Sequence, residues 1–125
     1  MSNKFGNNTT ILWSDRKRIL GMPISFTKYS LVSNNEDWTK LFVKTGVLST
    51  HIDEIFLYRI YDVQISQTLG QKIFGVGTIT LYSKDVTSPV VEILNIKNPY
   101  NVRNLLAEKI EESRQQKGVH IGEFY

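Results

Sequence analysis

Glu54-Ile55-Phe56-Leu57-Tyr58-Arg59-Ile60-Tyr61-Asp62-Val63-Gln64-Ile65-Ser66 is an unbroken run rich in β-branched and aromatic residues. Tyr61, Val63 and Ile65 alternate with Asp62, Gln64 and Ser66, the period-two pattern of a strand buried on one face. Immediately downstream the period changes. Leu69 and Ile73 stand four apart, which suits a short helical turn within residues 68–74, stopped by Gly75 and Gly77. Residues 78–83 then return to the β-branched content of a strand.

Working outward, the pattern stays largely β. Ile24 and Phe26, then Tyr29 and Leu31, alternate with polar residues, with a change of phase at Thr27-Lys28 that predicts a bulge or bend. Ser33-Asn34-Asn35-Glu36-Asp37 is a loop by composition, and Gly46 marks a turn. Across residues 38–44, Leu41 and Val43 share one face, and Trp38, Lys40, Phe42 and Lys44 share the other. A loop over 84–89 leads to a further strand at 90–96. The last element is a helix: Asn98 is a good N-cap, Pro99 suits the first helical position, and Gly118 ends it. Val102, Leu105, Leu106 and Ile110 form its apolar stripe, with Asn104, Glu108, Glu111 and Gln115 opposite. Six or so short strands and one amphipathic helix predict a mainly β domain, a small barrel or pair of sheets with the helix over an open end.

Composition agrees with a single globular domain. The 125 residues are 41% hydrophobic and 22% charged, enough to bury roughly two-thirds of the unfolded surface. The absence of cysteine excludes disulfides, Cys-ligated zinc and thiol catalysis, and it fits a reducing compartment. The apolar element near the N-terminus is only Ile11-Leu12-Trp13, followed rather than preceded by Arg16-Lys17-Arg18, so no signal peptide is expected and the Asn8-Thr9-Thr10 sequon has no secretory context. A cytoplasmic location, peripheral to the membrane at most, is the expectation. The formal net charge is +3, and apart from Arg16-Lys17-Arg18 the cations are scattered, unlike those of a dedicated nucleic-acid binder.

The succession from Glu54 to Thr68, continuing through Gln71-Lys72-Ile73-Phe74-Gly75-Val76-Gly77-Thr78-Ile79, resembles the bacterial pleckstrin-homology (PH) domain family. Its marks are an apolar strand, an Arg-Ile-x-Asp-Val core, a Ser-Gln pair, a short helix and a Gly-x-Gly-Thr entry to the next strand. Phe26-Thr27-x-Tyr29-x-Leu31 and the terminal helix stand where that family has its first strand and its capping helix, so the resemblance covers roughly residues 22–115. It implies a PH-like barrel of two near-orthogonal antiparallel sheets capped by a C-terminal helix. The implied organisation is a flexible arm over 1–10, the PH-like domain over 11–117 and a tail over 118–125.

No catalytic constellation emerges. Arg59, Asp62 and Gln67 lie in the recognised signature and read first as a polar network that fixes strand register. His51 and His120 are the only histidines, and their spacing supports no metal site. Gly75-Val76-Gly77 leads into a strand, which rejects a nucleotide-binding loop. No cofactor, metal, nucleic acid or small-molecule substrate is therefore expected, and no enzymatic activity. Other PH domains hold phosphoinositides between their first two strands, and Lys28, Lys40 and Lys44 lie on the matching strands as candidates for an anionic head-group. Solvated strand lysines that protect edges are the plainer alternative. Trp13 with Arg16-Lys17-Arg18 is also open to reading as an interfacial membrane segment, against a first strand or packed arm. Trp38, Phe42, Phe56 and Tyr58 are candidates for an exposed interface. The leading expectation is a non-catalytic binding or scaffolding module that binds protein or self-associates into an oligomer. Peripheral binding to anionic lipid is the second reading, and an enzyme of unidentified type the third.

Overall fold

A computed structural model of the chain describes residues 9–34 and 38–118. Most of the expected arm and tail, Glu36 and Asp37 of the expected loop, Asn8 and His120 lie outside the described residues. Strands β1 (Thr9–Arg16), β2 (Lys28–Asn34), β3 (Trp38–Thr45) and β4 (His51–Phe56) form a four-stranded antiparallel sheet in that order. A single 3₁₀ turn, Leu57–Arg59, then hands the chain to a three-stranded sheet of β5 (Ile60–Ser66), β6 (Val76–Ser83) and β7 (Val90–Lys97). Helix α1 (Leu69–Ile73) connects β5 to β6, and helix α2 (Pro99–Gln116) follows β7.

The core lies between the sheets. Tyr29, Leu31, Leu41 and Ile55 from the first sheet meet Ile60, Ile79, Leu81, Ile93 and Ile96 from the second, with Leu57 of the 3₁₀ turn at the corner. Alternation puts these residues on one face of each strand, except that Ile93 and Ile96, three apart, reach the same side across a bulge in β7. Helix α2 contributes Val102, Leu106 and Ile110, which stand four apart and so line up along one side. Its two ends are fastened differently. At the start the Pro99 ring lies on Gly77, where an added Cβ would come within 2.7 Å of the proline Cγ. Near the end Arg114, only 5% exposed, donates from Nη2 to the Ile60 carbonyl.

Three local expectations are corrected. Ile24 and Phe26 are not strand residues: β2 begins at Lys28, and the Lys17 N–H bonded to the Thr27 carbonyl at 3.0 Å closes the β1–β2 hairpin just before it. Leu20 and Gly21 take positive φ and Pro23 lacks an N–H, so this segment cannot run on as a paired strand. The family's expected first strand is thus the second here, preceded by β1. Asn98 occupies the N-cap position, but its φ of 52° is left-handed and its side chain makes no capping bond. Capping geometry needs an extended backbone, and the turn out of β7 uses the tolerance of Asn for left-handed φ instead. Tyr61 does not share a face with Val63, because the β5 register shifts between Ile60 and Asp62; Ile60 is buried and Tyr61 exposed.

Truncating the helix stripe tests this packing. Leu106 is fully buried, so Leu106→Ala is expected to cost about 2–5 kcal/mol in urea unfolding. A loss below about 0.5 kcal/mol, the range of an ordinary surface substitution, would contradict the placement of α2.

Candidate functional site

Strand register, rather than sequence proximity, brings the main candidate residues together. Arg16 pairs across the sheet with Lys28, and Lys28 pairs with Lys44. All three stand on the face opposite Leu31, Leu41 and Ile55, so they form a cationic row across the outer face at one end of the four-stranded sheet. Like charges directly opposite each other destabilise a sheet. Arg16 is steadied by donating from Nη1 to the Ser25 carbonyl at 3.1 Å, which ties the row to the β1–β2 loop.

Lys40 does not join this row. Its Nζ lies 2.9 Å from Glu54 Oε1 and 4.6 Å from the ring centroids of both Trp38 and Phe56. A charge already paired and held between two rings has little left to offer an incoming anion. The three candidate lysines therefore separate, and Arg16 takes the place expected of Lys40. No spacing rule reveals this, because the Arg16–Lys28 adjacency depends on where the hairpin closes.

The aromatic candidates form a layer packed on itself. Trp38 and Phe42 meet edge to face at 6.4 Å, and Phe56 and Tyr58 lie 5.4 Å apart. Arg59 stands over both Phe56 and Tyr58, and Lys117 over Tyr58. Phe42 is only 9% exposed, and Val32 on the same outer face is fully buried. Exposed apolar side chains gather elsewhere, on the β1–β2 loop, the β3–β4 connection and α1.

Arg59, Asp62 and Gln67 do not form one network. Arg59 lies 3.5 Å from Asp85, Asp62 accepts from Gln64 at 3.4 Å, and Gln67 donates to the Val76 carbonyl at 2.9 Å. The three bonds have separate partners, and that of Gln67 links the end of β5 with the start of β6.

The Tyr29 and Asp85 side chains are clearly perturbed. The Thr87 hydroxyl and backbone N–H hold the Asp85 carboxyl below the usual carboxylate range. Burial pushes the Tyr29 phenol up, against the lesser pull of the Leu94 N–H that it accepts at 3.0 Å. Both shifts belong to structural bonds. A cleft of about 310 Å³ between β1 and α2 contains Asp15, Arg18 and Lys97. Asp15 is already engaged there, paired with Arg18 at 3.2 Å and accepting the Lys97 N–H at 3.0 Å. Among the described residues no cluster of three or more His, Cys, Asp or Glu side chains is placed to hold a metal ion. No helix among them is long and apolar enough to cross a membrane.

The family model of the bacterial PH domain matches residues 19–110, well over half of the chain. The chain belongs to the bacterial PH domain family. No curated protein and no solved structure gives a significant match. In this PH domain the two antiparallel sheets and the long C-terminal helix fit the PH-like architecture, and β1, which carries Arg16, precedes the matched segment.

The Tyr29 bond gives a pH test. The unfolded phenol ionises near its ordinary value of about 10, while the folded one keeps its proton to higher pH. The stability it contributes is complete below that ordinary value and is lost as pH rises through the folded one. Tyr29→Phe is expected to cost about 1–3 kcal/mol at neutral pH by stranding the Leu94 N–H, and to flatten the alkaline loss in urea unfolding. An unchanged alkaline slope would contradict the assignment.

Proposed function

We propose that this PH domain is a non-catalytic binding module that docks peripherally on an anionic lipid surface. The observation that carries the reading is the cross-strand row Arg16–Lys28–Lys44. It sits where the β1–β2 and β3–β4 connections leave the sheet, with Lys17 and Arg18 beside it in sequence. A basic residue near an anionic leaflet gains about 1 kcal/mol, so the row supplies a modest, salt-sensitive attraction that the net charge of +3 supports by steering. The Lys-x-n-Lys/Arg-x-Arg pattern of a multi-phosphate head-group site is missing, and such a ligand favours arginine forks. The row suits the diffuse charge of a bilayer better.

A second reading, self-association or protein binding through the outer face of β2–β4, draws on the half-buried Trp38 and Phe56 and on the exposed Ile52 of edge strand β4. It requires the protein to gain mass with concentration in light scattering. A wild-type chain that stays monomeric at high micromolar concentration removes self-association.

Vesicle flotation tests the leading reading. The protein is expected to float with phosphatidylcholine vesicles only when they also contain phosphatidylserine, and Lys28→Ala with Lys44→Ala together should lower partitioning roughly 30-fold. Equal binding to neutral vesicles, or none at low salt, would overturn it.

A further inference from the structure

The cationic row leaves unexplained a large apolar surface at the same end of the fold. On the β1–β2 loop Leu20 is 66% exposed and Phe26 61%; on α1 Leu69 is 76% exposed and Ile73 73%. Helix α1 is locally well built, with a reciprocal capping box between Thr68 and Gln71, yet it buries none of its residues. Leu69 and Ile73, four apart, share one side of it. An element that is ordered but contributes nothing to the core, while presenting contiguous apolar side chains, marks an interaction surface.

Loop and helix behave as one body. Gly21 packs on Phe74, where an added Cβ would stand 3.4 Å from the Phe74 carbonyl and 3.7 Å from its ring. Both segments are also fastened to Asn95 of β7. Its carbonyl accepts the Arg18 N–H at 2.8 Å, and its side-chain oxygen accepts from Gln71 Nε2 at 2.7 Å. Arg18 Nη1 in turn holds the Gly21 carbonyl at 3.0 Å. The apolar side chains therefore project from a braced platform rather than from a loose loop.

Charge selects the occupant. The patch is flanked by Arg16 at the end of β1, by Lys17 on the loop and by Lys72 on α1, while Arg18 is already engaged by Asp15. A second copy meeting this face symmetrically would bring those cations against one another. A bilayer with anionic head-groups offers negative charge at the rim and hydrocarbon beneath it, the complement of this layout.

We propose that the β1–β2 loop and α1 together form a wedge that inserts Leu20, Leu69 and Ile73 into the apolar layer of an anionic membrane. Arg16, Lys17 and Lys72 remain at head-group depth. The proposal rests on the anionic-surface reading above and adds that binding is anchored by insertion, and so outlasts the screening of charge by salt.

Because the chain has no cysteine, one introduced at Ile73 can be labelled uniquely with an environment-sensitive dye, and one at the exposed Glu108 of α2 serves as the control. With phosphatidylserine-containing vesicles the dye at 73 should shift to the blue and be quenched by brominated acyl chains, while the dye at 108 does neither. Leu69→Ser with Ile73→Ser should lower partitioning roughly 100-fold, make the remainder fully salt-sensitive, and leave thermal unfolding unchanged. Binding at low salt without a response at 73 would overturn the wedge and leave the electrostatic reading standing. Absence of binding at low salt would overturn both. A vesicle-free dimer that the double substitution converts to monomer would assign the patch to a second copy and overturn the wedge.

Discussion

Among the described residues the two sheets share no ladder hydrogen bonds, and one short stretch of β7 stitches their edges together. The Leu94 N–H reaches the Tyr29 hydroxyl, the Asn95 carbonyl accepts from Arg18, and the Lys97 N–H reaches Asp15. This works because β7 bulges opposite Thr78, where the register shifts between Gly77 and Ile79 and Asn95 takes a φ of 51°. A bulge turns backbone groups away from their own ladder, and here they serve β1 and β2. The same residue accepts from Gln71 of α1. The closure of the sheets, the path of the β1–β2 loop and the seat of α1 are thus one constraint.

From that constraint the division of the surface follows. The α2 stripe and the 3₁₀ turn complete the core, and the outer face of β2–β4 satisfies itself by packing Lys40 between Trp38 and Phe56. The end where the β1–β2 loop, the β3–β4 connection and α1 come out has a different character. There, like charges face each other across three strands, and apolar side chains stand in water. Apolar side chains exposed to water do not help the isolated fold, and on the proposed reading an anionic bilayer would cover them.

Legibility in the sequence tracked the range of the interactions. The faces of β3 and the α2 stripe were readable because side-chain period alone sets them: Leu41 and Val43 against Trp38 and Phe42, and Val102, Leu106 and Ile110 at four-residue steps. The short helix before β6 was readable from Leu69, Ile73 and the following glycines. Ile24 and Phe26 misled because alternation does not reveal that Pro23 and the left-handed Leu20-Gly21 take the segment out of the sheet. Asn98 carries the composition of a cap but spends its conformational tolerance on a turn. The Arg16–Lys28–Lys44 row and the Gly21–Phe74 contact depend on register and on the Asn95 bulge, which no local pattern encodes. Among the candidate site residues, Lys28 and Lys44 were therefore visible singly but not as neighbours of Arg16.

Hydrogen exchange on vesicles tests the account most directly. In the presence of phosphatidylserine-containing vesicles, amides in the β1–β2 loop and in α1 should exchange more slowly, while those of β5 and of the last turns of α2 keep their rates. Protection centred on β3 and β4, or no difference between anionic and neutral vesicles, would contradict the claim that this end of the domain is its docking face.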